Sequence, residues 1–427
     1  MSKLHAQDAN IWSLQRCLEH ARDHNIQLKQ AQLNVTGSEV TLAQAKARRL
    51  PNANAGLNAF SRLGYFVDPF TNELDQQTSL TFDFGVSSGV NLFTGFQITN
   101  GIKQGLVDLE TSRADLEQQE YDLALDITLA YLRILQNAEF LESTRIQVGS
   151  TKEQRDRTKK LVDAGSLAPA DLLQIESQIA TEELNVVNAQ NQLELSYLAL
   201  QQILNLDPND KFGIEKLSLD DPESELLPIS AQDVYQYAAS NQPSIRSADL
   251  GVESAMIGID IAKGQRYPSV SVSGSAGTGY SSGRELLTFN DQISQNVSGS
   301  LSAGLSIPIY NRRQAISSIE RAEITLQNAE YVAQLRRQNL KQIIEQAYLD
   351  AKSAFSSYSA TQRQYRAQET NFQNIEKQFN LGISNSVDYL VAKNSMNMAR
   401  FDLLRTKYTY LFQTKVLDFY LGKPIGF

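Results

Sequence analysis

The sequence predicts a mixed fold, mainly α with β, in which a helix, a strand pair and a long helical hairpin are laid down twice. Three observations carry this: an internal repeat at one fixed offset, two runs of period-two alternation in each half, and helical stretches too long for a globular core. The repeat comes first because it organises the rest. Sliding the chain by 217 residues brings Ala45-Lys46-x-x-Arg49-x-Pro51 onto Ala262-Lys263-x-x-Arg266-x-Pro268. The same offset carries Ala130-Tyr131-Leu132 onto Ala347-Tyr348-Leu349 and Gly165, Asp171 and Leu173 onto Gly382, Asp388 and Leu390. Leu200 and Leu204 land on Leu417 and Leu421. The register holds without a gap over about 190 residues, a period far beyond solenoid repeats, so the halves are a duplicated domain. The expected boundaries are 10–206 for the first repeat, 207–228 for a linker or equatorial insertion, and 229–422 for the second.

Each half opens with a helix, near 14–49 and 231–266, ended by the proline that cannot continue it. Alternating stretches follow. Leu57, Ala59, Leu63, Tyr65 and Val67 share one parity, and Leu80, Phe82, Phe84, Val86, Val90 and Leu92 another. In the second half Val270, Val272, Ala276 and Tyr280 alternate with small polar residues, as do Val297, Leu301, Ala303, Leu305, Ile307 and Ile309. Period two with glycine and serine between reads as strands with one apolar and one wet face. Each run meets the roughly 9–11 residues that a tilted strand needs to cross a bilayer.

The long helices are expected near 95–162 and 312–380, each reaching roughly 100 Å at 1.5 Å per residue. Their apolar positions are sparse and recur near every seven: Leu109, Leu116, Leu123 and Ala130, then Leu326, Ala333, Leu340 and Ala347. That is a narrow coiled-coil seam. Turns at Ala164-Gly165-Ser166-Leu167-Ala168-Pro169 and Leu381-Gly382-Ile383-Ser384-Asn385-Ser386 lead into return helices ending near 205 and 421. Between the halves, Asp207-Pro208-Asn209-Asp210 and Asp220-Asp221-Pro222 mark the linker.

Bulk properties narrow the function. Net charge is −9 with pI near 5.1, which excludes an electrostatic grip on nucleic acid. One cysteine, Cys17, permits no intrachain disulfide. Leu14-Gln15-Arg16-Cys17 has no small residues ahead of the thiol, so it does not read as a lipidation site. No window of 18 apolar residues exists for a transmembrane helix. No secretory signal is read either, and Met1-Ser2-Lys3-Leu4-His5-Ala6-Gln7 reads as a start placed ahead of a processed N-terminus. At 41% hydrophobic residues and a mean hydropathy of −0.33, the chain is wet for its length. A helix in a globule carries an apolar stripe of at least about 100°. A helix in the wall of a hollow tube touches neighbours only along seams and meets water on both faces, which these sequences suit. Four strands cannot close a barrel, and an open edge does not survive in lipid, so membrane strands must be pooled between chains. Three chains supply twelve, and two supply only the minimum of eight.

The order helix, strand pair, long helix, glycine turn, return helix, twice over, resembles the TolC-like outer-membrane efflux family. The Ala-Lys-x-x-Arg-x-Pro helix ends and the step Asn241-Gln242-Pro243-Ser244-Ile245 add to the resemblance, which covers Trp12 to Leu421. It implies a homotrimeric twelve-stranded outer-membrane β-barrel continued by a twelve-helix periplasmic α-barrel, with no cofactor and no catalysis. It further implies a passive duct for an inner-membrane transporter of the RND or ABC kind, reached through a periplasmic adaptor. Type I protein secretion is an alternative within transport. A structural or adhesive coiled-coil fibre is the alternative of another class.

The resemblance places the periplasmic tips at the two turns, with Gly165, Leu167, Gly382 and Ile383 meeting the adaptor. The plainer reading is a helical-hairpin turn. Asp388 is expected at the narrow periplasmic gate and Asp171 in ties between neighbouring helices; each equally suits a first-turn acid beside a helix dipole. The chain departs from the family where Val391 replaces a second gate acid, where Phe379 stands at a position that holds a tyrosine, and where Ser384 replaces a basic partner. Packing is thus expected to hold the gate more than ion pairs. His20 and His24 have a spacing that can bind metal, and exposed helix surface is the favoured account of them. Gly274-Ser-Ala-Gly277-Thr-Gly279 lacks the Gly-Lys-Ser/Thr of a phosphate loop and reads as small strand residues.

Overall fold

The computed structural model describes residues 11–67, 74–207, 212–216, 230–282 and 287–423. The residues 1–7 discussed above and most of the linker lie outside that set. In chain order the elements are β1 (Ile11–Trp12), α1 (Leu14–His24), α2 (Ile26–Ala47), β2 (Asn52–Val67), β3 (Leu74–Thr94), α3 (Gln97–Asp163) and α4 (Pro169–Leu204). Then come β4 (Gly213–Ile214), α5 (Ala231–Asn241), α6 (Pro243–Gly264), β5 (Ser269–Ser281), α7 (Phe289–Gln295), β6 (Ser298–Ser306), α8 (Gln314–Asn380) and α9 (Ser386–Tyr420). Helices α3 and α8 each have 67 residues, and α8 begins and ends 217 residues after α3. Two compact units emerge, and each draws on both halves of the sequence.

One unit comprises Met1–Leu33, Ala114–Arg246 and Gln334–Phe427. Its main core gathers Leu14, Cys17, Ala21, Ile127, Tyr131, Leu132, Leu200, Leu204 and Tyr408. The Tyr131 hydroxyl lies within hydrogen-bonding reach of two backbone carbonyls, Trp12 (3.3 Å) and Glu215 (2.9 Å), and so clasps the short parallel pair β1–β4. That pair was not expected; β4 falls in the segment read as linker. The seam residues Leu340 and Ala347 are buried, whereas Leu116, Leu123 and Ala130 are half-buried.

The first helix of each half is broken, which corrects the expectation of single helices over 14–49 and 231–266. Asn25 ends α1 and caps α2: its Oδ1 accepts from the Gln27 and Leu28 N–H groups at 2.8 and 3.1 Å. Its Nδ2 donates to the Ile203 carbonyl at 2.9 Å. The equivalent break falls at Gln242, because Pro243 disfavours helical backbone in the residue before it.

The other unit comprises Asn34–Arg113 and Ser247–Ala333. Its antiparallel sheet has the order β2-β3-β5-β6. The register aligns the predicted parities into one face: Ala59 with Phe82 and Tyr280, Ala55 with Val86, Ala276 and Gly299, and Val90 with Val272 and Ala303. The other face carries Ser87, Ser275 and Ser300, then Gly89, Ser273 and Ser302. Serine pairs bridge β5 and β6 on it, Ser273 to Ser302 at 2.8 Å and Ser275 to Ser300 at 2.9 Å. A bulge at Leu92 leaves that residue without a partner in β5, and Val297, Ile307 and Ile309 lie beyond the ends of β6. The segment Gly274–Gly279 is paired with β3 throughout and with β6 as far as Gly277, as strand and not as loop. The seam residue Leu109 is buried with Leu42 and Ile102. Helix α7, between β5 and β6, was not expected.

Candidate functional site at the hairpin tips

Both long hairpins turn by the same chemistry. Gly165 has φ +73° and Gly382 φ +74°, the left-handed region that side chains avoid. In the first turn Gly165 N–H bonds the Val162 carbonyl (2.9 Å) and Ser166 N–H bonds Leu161 (2.8 Å). In the second, Gly382 bonds Phe379 (3.0 Å) and Ile383 bonds Gln378 (2.9 Å). These are Schellman caps that satisfy the last carbonyls of α3 and α8. A Cβ on either glycine would meet no atom within 4 Å, so backbone handedness, not space, demands glycine. Gly165, Gly382 and Ile383 are exposed. Leu167 is half-buried and folds back onto the cluster Ile175, Ile179, Phe379, Tyr389 and Leu390. Leu381, which the sequence reading passed over, stands 74% exposed beside Gly382.

The two first-turn acids part company here. At α4 the cap residue is Ala168, which has no side-chain acceptor, and the Asp171 carboxylate takes its backbone N–H at 3.1 Å. The other carboxylate oxygen of Asp171 accepts the hydroxyl of Ser386, the first residue of α9. At α9 the cap is Asn385, whose Oδ1 accepts the Asp388 N–H at 2.8 Å. The Asp388 side chain is exposed and, among the described residues, its carboxylate has no hydrogen-bond or ion-pair partner. Asp171 is a tie; Asp388 is a free charge.

Phe379 is 4% exposed and stacks on Tyr389 with centroids 4.9 Å apart. Next along α9, Lys393 and Glu182 are both 2% exposed. The Lys393 ammonium donates to Thr151 Oγ1 at 2.8 Å, and Thr151 Oγ1 donates to Glu182 Oε2 at 2.5 Å. Gln147 and Gln178 each donate to Glu182 Oε1 at 3.0 Å. Burial holds the Lys393 ammonium below the ordinary lysine range, with Glu182, Glu376 and Glu153 pulling the other way. This polar rung joins α3, α4 and α9. Sequence reasoning missed it because lysine and glutamate on wet helices read as surface. Among the described residues no group of three or more histidine, cysteine or acidic side chains is arranged to hold a metal ion.

Comparison with known proteins gives the same architecture. The family model described as outer membrane efflux protein matches twice, over residues 17–206 and 234–423. TolC of Escherichia coli K12 is 23% identical over 374 residues, 83% of this chain and 75% of that protein. BepC of Brucella suis biovar 1 is 21% identical, covering 93% of this chain and 82% of its own length. Among solved structures, CusC superposes with a TM-score of 0.81 at 18% identity, over 96% of this chain and 92% of that one. The open state of Neisseria gonorrhoeae MtrE gives 0.76 at 19% identity, over 96% and 89%. With its two repeats both matched, the chain belongs to the outer membrane efflux protein family, and it is a periplasm-spanning conduit of the outer membrane, not an enzyme.

Proposed function

We propose that the chain is one third of a homotrimeric exit duct. The observation that carries this is the sheet: β2 and β6 each have a strand neighbour on one side only among the described residues, and the face they share is apolar and exposed. Leu63 is 71% and Leu301 82% exposed. Lipid offers no hydrogen bonds to an open edge, so three copies pool twelve strands into a closed outer-membrane barrel. The repeats 10–206 and 229–422 then each contribute a strand pair to that barrel and a hairpin to a twelve-helix periplasmic barrel.

The hairpin tips are the docking points for a periplasmic adaptor that links the duct to an inner-membrane RND or ABC transporter. Gly165, Gly382 and Ile383, with Leu381 beside them, present the exposed surface, and Leu167 shapes it from beneath. Asp388 lines the periplasmic gate as a ring of three carboxylates, which favours cations. Asp171 and Phe379 hold the gate's helices in place. Mass measurement of the purified particle in detergent tests the assembly: a trimer is expected, and a monomer or dimer overturns the pooled barrel.

A further inference from the structure

The joints between the strands and the long helices lie at one end of the sheet, and they repeat with the offset of 217 in backbone but not in side chains. After β3, Gly95 and Phe96 have φ +61° and +65°. After β6 their equivalents, Arg312 and Arg313, have φ +52° and +67°. Left-handed backbone is natural for glycine and strained for a bulky side chain. The first joint is closed. A Cβ on Gly95 would collide with the Gly264 carbonyl oxygen and the Tyr267 Cβ. Phe96 meets Phe93 edge-on at 5.2 Å and Tyr267 at 6.3 Å. Phe93, paired with Val270, belongs to the apolar face, so an aromatic group seals the lipid side of that joint.

The second joint is built otherwise. Tyr310 stands at the position equivalent to Phe93 and is 85% exposed, and Ile309 before it is 95% exposed. Arg312 and Arg313 are both exposed. Among the described residues the Arg312 guanidinium has no hydrogen-bond or ion-pair partner. The Arg313 guanidinium meets Glu320 at 3.0 Å, in an exposed pair that solvent screens. In the pooled barrel the equivalents of Gly264 and Tyr267 at this joint are Ala47 and Leu50 of the neighbouring copy. An arginine does not fit the contact that Gly95 makes, so the joint between copies is wider than the joint within one. No stretch of the sequence is polybasic, yet the fold gathers cations at this end of the sheet. Residues 45–51, 262–268 and 307–314 hold seven lysines and arginines, all exposed, and no acid.

We infer, resting on the pooled barrel proposed above, that each joint between copies holds the phosphate of an anionic glycerophospholipid in the grip of Arg312 and Arg313. A guanidinium presents five N–H donors in a planar fork that matches phosphate oxygens. Leu301, Leu305, Ile307 and Ile309 share one parity, are all exposed and lead along the lipid face to the arginines. Acyl chains can therefore lie beside the strand while the phosphate sits in the forks, which favours a lipid over a free anion. Tyr310 stands at headgroup level, where tyrosine is the ordinary interfacial anchor. Helices α3 and α8 leave the sheet at this end, so the leaflet concerned is the one that faces the periplasm. A ligand that the first joint does not take accounts for two strained arginines where the first half has glycine and phenylalanine.

Mass spectrometry of the intact particle, released from detergent doped with phosphatidylglycerol or with phosphatidylcholine, tests the site. The expected result is a trimer that retains phosphatidylglycerol and not phosphatidylcholine. Arg312→Gly, which installs the first-half residue and relieves its backbone, should weaken retention about fivefold and melt no lower than wild type. Arg312→Gly combined with Arg313→Phe should weaken it about twenty-five-fold. Arg62→Gln, toward the opposite end of β2, should retain lipid as wild type does. Lipid-free trimer should take up no inorganic phosphate at the same concentration. A trimer that retains neither lipid or both alike, undiminished retention in the double variant, equal loss in Arg62→Gln, or uptake of inorganic phosphate would each overturn the site and leave the barrel standing. A wild-type particle that is not a trimer would overturn the barrel and the site together.

Discussion

The hydroxyl of Ser386, at the start of α9, donates to the carboxylate of Asp171, at the start of α4. The tie crosses the repeat, since the residue equivalent to Ser386 in the first half is Pro169, and it therefore has no counterpart. It also falls on an acid that already serves as a cap. A hydrogen bond to a charged group is worth about 1.5–3 kcal/mol. A double-mutant cycle of Asp171→Asn and Ser386→Ala, followed by thermal unfolding, should show coupling of about that size. Additive single effects would mean the two side chains act separately.

Asp388 and Asn385 separate charge from capping. Asn385→Ala should cost about 0.5–2 kcal/mol of stability and leave ion preference alone. Asp388→Asn should do the reverse, lowering cation selectivity in planar bilayers while melting stays within about 0.5 kcal/mol of wild type. Because Val391 stands one turn on in place of a second acid, removing one ring should remove most of the preference. Selectivity unchanged in Asp388→Asn would leave that acid outside the gate.

The tip glycines demand left-handed backbone and nothing else. Gly382→Val should cost about 1–2 kcal/mol, and Gly382→Asn, whose side chain tolerates that region, distinctly less. In both variants export should fall by more than stability explains, because each places a side chain on the exposed tip. Export retained in both, with the protein folded, would move adaptor docking elsewhere.

Leu340 is 7% exposed and packs with Val234, Ala238, Ile245 and Ile344, whereas Leu123 is half-buried beside the Tyr131 cluster. Leu340→Asp should therefore cost several kcal/mol and Leu123→Asp less, because an unpaired buried carboxylate has little solvation. Melting temperatures in the opposite order would show that the seam is anchored nearer α1 than α5.

Lys393→Met leaves Glu182 buried without its cation and should cost about 3–5 kcal/mol. Pairing it with Glu182→Leu should restore much of that loss. The pH dependence has a definite sign. A lysine whose pKa is lowered on folding binds fewer protons in the folded state between that lowered value and the ordinary 10.5. Its contribution to stability therefore rises with pH across that window and is flat below it. In Lys393→Met the rise should disappear; if it persists, another group titrates there.

The sheet was legible because its physics is local. Parity alone put Ala59, Phe82 and Tyr280 on one face, and the register agrees. The break at Asn25 was not, because that capping side chain is also held by the Ile203 carbonyl, 178 residues away. Its partner break carried a signal in Pro243, which the expected single helix over 231–266 nevertheless ran through. Helix α7 did carry a signal: Thr288 and Asp291 form a reciprocal capping box, which the alternating residues around it obscured. At the tips, glycine marked the turns, and the sequence already sets Ala168 against Asn385 as the residue three before each acid. The tie of Asp171 to Ser386, 215 residues on, is the part that only the fold brings in.

The equal length of α3 and α8 makes the two repeats each other's ruler. One residue added to either helix would advance its tip by about 1.5 Å and turn it by about 100°. Ser386 would then face away from Asp171 and the polar rung would lose its register. Insertions and deletions along these helices are therefore tolerable only as matched edits in both halves. The two copies are free to diverge in chemistry, as Asp171 and Asp388 have, but not in length.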